Sequence, residues 1–139
     1  MGIEDFFIPE NLYYSEEHEW VLIEDNGQVK VGITDYAQQK LHEIVFVYFP
    51  SKDVNVKQGD PMGTAESVKA VSEVFCPISG QIVEGNDELI LSPELVNQDP
   101  YGKGWIAIIK PTNFESERKK LMTQKEYLEY IEKILLKKH

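Results

Sequence analysis

The residues best suited to chemistry are Glu66-Ser67-Val68-Lys69-Ala70, which set one lysine between small and β-branched neighbours. Upstream, Gln58-Gly59-Asp60 punctuates the chain before Pro61-Met62-Gly63-Thr64-Ala65. Downstream, Val71 to Phe75 reads as a second strand, closed by Pro77 and Ser79-Gly80. This pattern predicts a hairpin with Lys69 at its tip. There a flexible four-carbon stem holds the amine clear of the body, within reach of a modifying enzyme. Residue type alone favours a plainer role, since exposed hairpin lysines ordinarily act as solubilising charges or edge guards. The motifs elsewhere in the chain decide between the two.

The elements that must position this hairpin read mostly as strands. Trp20 to Glu24 and Gln28 to Ile33 flank Asn26-Gly27, a turn signal for a tight hairpin. Thr34-Asp35 can cap a short helix through about Leu41, its side-chain oxygens accepting from free backbone amides. Ile44 to Phe49 is a near-continuous apolar strand ended by Pro50. After the Lys69 hairpin come a strand from Gln81 to Glu84, a helical turn near Pro93 to Val96, and a last strand from Trp105 to Lys110. Many short strands between glycine and proline turns predict a sandwich or barrel. In the tail, Thr123-Gln124-Lys125-Glu126 fits a capping box. Tyr127, Leu128, Ile131, Ile134 and Leu135 then form one apolar stripe at helical spacing, expected to pack on the β body.

Composition bounds the function. A chain of 139 residues, 42% hydrophobic and 27% charged, suits one globular domain with a real core. Its longest apolar run, Ile44 to Pro50, is far too short to span a bilayer. The acidic start Met1-Gly2-Ile3-Glu4-Asp5 lacks the cationic character of a signal or transit peptide, so a cytoplasmic location is expected. A single cysteine, Cys76, excludes an internal disulfide, and its expected state is a buried, inert thiol. His18, His42 and His139 show no ligand spacing, so no metal is assigned. Residues 1–109 carry 19 acidic and 6 basic side chains, whereas residues 110–139 carry 8 basic and 5 acidic ones. Such a body repels phosphate, which argues against a nucleic-acid partner, and could steer toward basic patches on larger enzymes.

Seven blocks, in order, resemble the H-protein of the glycine cleavage system, a lipoyl carrier. They are His18-Glu19-Trp20-Val21, Val31 to Gln38, Ile44 to Val47, Glu66 to Ala70, Pro77 to Gly80, Pro93 to Asn97, and Asp99-Pro100-Tyr101-Gly102 with Gly104-Trp105. The resemblance covers roughly Leu12 to Pro111 and is looser in the tail. It implies a lipoyl-domain-like barrel-sandwich hybrid, a flattened β-barrel with short helices and a C-terminal amphipathic helix. The organisation expected is an N-terminal extension over 1–11, a lipoyl-binding domain over 12–111 and a helical tail over 112–139 packed on it, in a monomer.

By the same resemblance Lys69 carries lipoic acid, and Glu66, Ser67, Val68 and Ala70 form the acceptor motif. The arm would take the aminomethyl group of glycine from a pyridoxal-phosphate decarboxylase to an aminomethyltransferase. A dihydrolipoamide dehydrogenase would reoxidise it, and a lipoate ligase or lipoyl or octanoyl transferase would install it. The chain itself would be a carrier, not an enzyme. Glu19 matches a residue lining the cleft that shelters the loaded arm. Glu73 stands where relatives often have aspartate, and Tyr36 where they commonly have histidine beside that cleft. Glu17 adds a further negative charge there, and His42 replaces a common glycine. Asn97, Asp99, Pro100 and Tyr101 are expected to shape turns. An alternative is an H-protein-like lipoate carrier serving sulfur oxidation with heterodisulfide-reductase-like complexes, or lipoyl relay. A biotin carrier fits less well, because Val68 and Ala70 flank the lysine where biotin sites have methionines.

Overall fold

The computed structural model describes residues 1–137, so His139 and the end of the tail lie outside the described residues. Nine strands run in the order β1 (Tyr13–Tyr14), β2 (Glu19–Ile23), β3 (Val29–Ile33), β4 (Ile44–Tyr48), β5 (Asn55–Val56), β6 (Pro61–Ser67), β7 (Val71–Phe75), β8 (Gly80–Gly85) and β9 (Ala107–Pro111). Between and after them lie α1 (Asp35–Leu41), α2 (Glu88–Leu91), α3 (Leu95–Gln98), α4 (Phe114–Glu117) and α5 (Gln124–Lys137). A six-stranded antiparallel sheet, ordered β1-β2-β3-β9-β8-β5, stands beside a three-stranded sheet, β4-β6-β7. The protein is therefore mainly β with a C-terminal helix, two sheets in place of a fully closed barrel.

Each local signal acts through an identifiable bond. Gly27 turns the β2–β3 connection at φ 86°, its N–H donating to Glu24 O over 3.0 Å. Asn26 keeps a negative φ, so the tight two-residue turn that Asn-Gly suggested gives way to a longer one relieved by a single left-handed glycine. Thr34 Oγ1 accepts from Ala37 N and starts α1. In the tail the capping box closes both ways: Glu126 N donates to Thr123 Oγ1, and Thr123 N donates to Glu126 Oε1. The two-residue strands β1 and β5 and the four-residue helices α2 and α4 carry no periodic signal, and sequence reasoning missed them.

Two apolar clusters hold the fold. The larger lies between the sheets and gathers Val21, Val31, Ile44, Val47, Ala65, Val74, Ile82 and Ile109 with residues from α2 and α3. The second is largely aromatic: Phe6, Tyr14, Trp20, Tyr36 and Tyr127 pack with Ile8, Leu12 and Ile131. The α5 stripe thus meets the outer side of β1 and β2 and the N-terminal segment, rather than the inter-sheet core. Tyr14 stacks on Tyr127 at 4.5 Å and 2°. Gly32, opposite Trp20 in the β2–β3 ladder, makes room for the indole, since a Cβ there would stand 2.7 Å from Trp20 Cζ2. Asn97 joins α3 to the start of β4, accepting from Ile44 N and donating to Gln38 Oε1 and His42 O. Tyr101 OH donates to Phe7 O and accepts from Asp35 N. Both residues hold segments together, in line with the structural role expected of that block.

Candidate functional site

Lys69 occupies the β6–β7 turn, exposed along with Val68 and Ala70. The turn itself is fixed. Buried Ser67 accepts at Oγ from the N–H groups of Lys69 (3.1 Å) and Ala70 (3.0 Å), and its own N–H donates to Ala70 O. Val68 N donates to Glu43 O, tying the tip to the chain that enters β4. Among the described residues, no hydrogen bond or ion pair restrains the Lys69 ammonium. A rigid backbone thus presents one untethered amine. The site fits an acyl group attached there, because nothing has to be broken to reach Nζ. Ser67 is an internal brace, whereas Glu66 points to solvent.

A cleft of about 530 Å³ opens beyond the other end of β7, lined by Ser15, Glu17, Glu19, Phe75, Cys76 and Lys120 among others. Glu19 is 2% exposed. Ser15 Oγ donates to its Oε1 at 2.5 Å, and Phe75 N donates to its Oε2 at 3.2 Å. Burial pushes the Glu19 carboxyl up to about 7, against the pull of these two bonds, and nearby Glu17 adds to the rise. The carboxyl can therefore gain or lose a proton near neutral pH, and a cation entering the cleft would favour its ionised form. Cys76 is buried, its thiol donating to Ile78 O, and burial pushes it up to about 12. That agrees with an inert thiol.

Neither Tyr36 nor Glu73 lines this cleft. Tyr36 is buried among aromatic rings, 5.1 Å from Phe6 and 4.7 Å from His18 between centroids. Glu73 is exposed, opposite Thr64 in the β6–β7 ladder. Sequence reasoning missed Ser15, whose hydroxyl holds Glu19. It also missed the run in which Tyr127 OH bridges His18 Nδ1 and Thr34 Oγ1, each at 2.8 Å. A consistent proton order runs from Ala37 N–H to Thr34, on to Tyr127, and ends at Nδ1 of a neutral His18. Burial agrees, lowering His18 to about 4. Among the described residues no cluster suits a metal ion, and no helix is long and apolar enough to cross a membrane.

Comparison with known proteins places this geometry in context. The family model for the glycine cleavage H-protein matches residues 12–134. The chain is 50% identical over 129 residues to a probable glycine cleavage system H protein of Pyrococcus furiosus, covering 93% of this chain and 96% of the relative. It is 47% identical over 125 residues to the glycine cleavage system H protein of Oceanobacillus iheyensis, covering 90% and 98%. A solved structure of the H protein from Mycobacterium marinum superposes with a TM-score of 0.77 at 38% identity, covering 86% of this chain and 95% of that one. The chain belongs to the glycine cleavage H-protein family.

Proposed function

We propose that this protein is the non-catalytic lipoyl carrier of a glycine cleavage system, with Lys69 as its point of attachment. The observation that most supports the reading is an unrestrained amine on a locked hairpin, in a chain of this family. Bound as an amide on Lys69, lipoate would supply a reducible disulfide on a long tether, able to take up the aminomethyl group of glycine. The chain contributes the tether point and a shelter. Tethering raises the concentration of one group at successive active sites without any bond being made by the carrier's own side chains. The decarboxylase, aminomethyltransferase and dihydrolipoamide dehydrogenase are the enzymes it would serve, and a lipoate ligase or transferase would load it.

In this reading Glu19 receives the protonated amine of the cargo, and Ser15 and Phe75 N keep its carboxylate aimed. Phe75 lies six positions after Lys69, four of those steps along β7, so the two are at most about 20 Å apart at strand rise and closer because the turn is not extended. An arm of about a dozen bonds spans roughly 14 Å at full extension. Only a nearly extended arm lying along β7 carries its cargo toward Glu19, whose Oε2 lies 3.2 Å from Phe75 N.

Peptide mass spectrometry after treatment with lipoate ligase, ATP and lipoate tests the attachment. One lipoyl group on the Lys69 peptide is the expected result, with none on a folded Lys69→Arg protein, which keeps the charge but lacks an acylatable amine. Lipoylation of the Lys69→Arg chain would refute the assignment. Glycine–bicarbonate exchange with the decarboxylase then separates glycine cleavage from another lipoate-dependent pathway.

A further inference from the structure

Five of the twelve large apolar residues with marked exposure are concentrated on one small sheet and its turn: Val45, Phe46, Tyr48, Val68 and Val71, between 41% and 67% exposed. A β-bulge causes part of this. The register of β4 against β6 shifts between Ile44 and Phe46, so Val45 and Phe46 are both exposed, where regular alternation would have buried one of them. Phe46 and Tyr48 touch, with ring centroids 4.5 Å apart. Across the ladder Phe46 faces Glu66, which faces Val71, while Tyr48 faces Thr64, which faces Glu73. The exposed carboxylate of Glu66 lies within the patch, between Phe46 and Val71 on the central strand, those of Glu43 and Glu73 lie beside it, and β4, β6 and β7 contain no cation.

We infer that this outer face of the β4–β6–β7 sheet is the docking surface for the enzyme that acylates Lys69. The inference rests on the lipoyl-carrier reading and adds the surface and its partner's chemistry. Reach selects the partner. An unmodified lysine places Nζ only about 6 Å from its Cα, at about 1.2 Å per bond. For the amine to attack an activated lipoyl carbonyl, form the amide, expel the activating group and shed its proton, the enzyme must close over the turn itself. The sheet face beside Val68 and Lys69 then lies under the enzyme. Enzymes acting on the far end of the loaded arm meet a group roughly 14 Å out and need not cover the sheet. The matching surface is an apolar one that also carries Arg or Lys, since the patch sets apolar side chains around and beside carboxylates, Glu66 among them.

The test measures kcat/KM for acylation by lipoate ligase with ATP and lipoate, read by intact mass, for four proteins. These are the wild type, Phe46→Thr/Tyr48→Thr, the isosteric Val71→Thr, and Leu136→Gln as an exposed apolar control on α5. The double variant is expected to lose on the order of tenfold, chiefly through KM. Val71→Thr should lose severalfold and Leu136→Gln nothing, and raising salt should slow the wild type. Should the double variant fail to fold, Val71→Thr decides. Wild-type kcat/KM in both face variants, or a loss confined to kcat, overturns the docking face while leaving the carrier reading intact. A wild type that takes no lipoyl group overturns both.

Discussion

Replacing Glu19 by glutamine should make the protein more stable, and only at neutral to alkaline pH. The amide keeps the carboxylate's shape and can still accept from Phe75 N or Ser15 Oγ, but it does not titrate. In the wild type, burial raises Glu19 from 4.5 to about 7. Between those values the folded chain holds a proton that the unfolded chain has released, so stability falls as pH rises through the interval. At about 1.4 kcal/mol per unit, ionising Glu19 in the folded state costs at most about 3 kcal/mol. Glu19→Gln removes that fall. Its advantage should be near zero at pH 4.5 and approach 3 kcal/mol above pH 7. His18 has the opposite sign. Lowered from 6.5 to about 4, it adds stability that is present above pH 6.5 and lost as pH falls toward 4. The two slopes oppose one another between 4.5 and 6.5. The wild type should look nearly flat there, whereas Glu19→Gln shows a bare rise and His18→Gln a bare fall.

Urea unfolding at several pH values reads this directly through the midpoint. A difference between wild type and Glu19→Gln that does not change with pH would refute the reasoning, because Glu19 would then ionise alike in both states. A carboxylate that weakens the fold at working pH calls for a compensating use, and buried groups with raised values concentrate at functional sites. In the carrier function proposed above, a cationic cargo would supply that use. A charge-assisted bond contributes about 1.5–3 kcal/mol, so Glu19→Gln should shed the aminomethyl cargo roughly 10- to 100-fold faster, and less if water enters the cleft. Greater stability together with faster leakage is the expected signature.

Two further substitutions probe the scaffold. His42 ends α1 at φ 67° and ψ −153°, a conformation ordinarily left to glycine. Relief of roughly 1–3 kcal/mol of strain, less about 1 for glycine's freer unfolded state, predicts a gain near 1 kcal/mol in His42→Gly, measured by urea unfolding. Gly32→Ala should cost about 1–3 kcal/mol, because its Cβ would press into the Trp20 indole, and a blunted change in tryptophan fluorescence would contradict that packing.

What could be read from the chain depended on sequence distance. Strands, caps and the α5 stripe repeat within a few residues. The Lys69 hairpin, the Thr34 cap and the Thr123–Glu126 box therefore formed as the local pattern required. The cleft is assembled from far apart: Phe75 N reaches Glu19 across 56 positions, and Lys120 closes a wall from the tail. No periodicity marks such a meeting. The arm-cleft candidates came from resemblance alone, and only Glu19 of the three lines the cleft described here. The signal closest to hand was Ser15-Glu16-Glu17-His18, a turn that ends with His18 at φ 71°. Its bonds fold Ser15 back onto Glu19, with Ser15 N donating to Glu19 O and His18 N to Ser15 O.

That turn also explains how adjacent residues come to serve different ends. With β2 covered on both sides, Trp20 enters the aromatic cluster and Val21 the inter-sheet core. Just before them the strand begins with Glu19 in the cleft and His18 against Tyr127 and Tyr36. The aromatic layer formed by the N-terminal segment and α5 is what buries His18 and Trp20. Held by rings on one side and the core on the other, β2 has little freedom to shift. A carboxylate mounted on it is held by Ser15 and Phe75 N and, among the described residues, by no ion pair that the proposed cargo amine would have to displace.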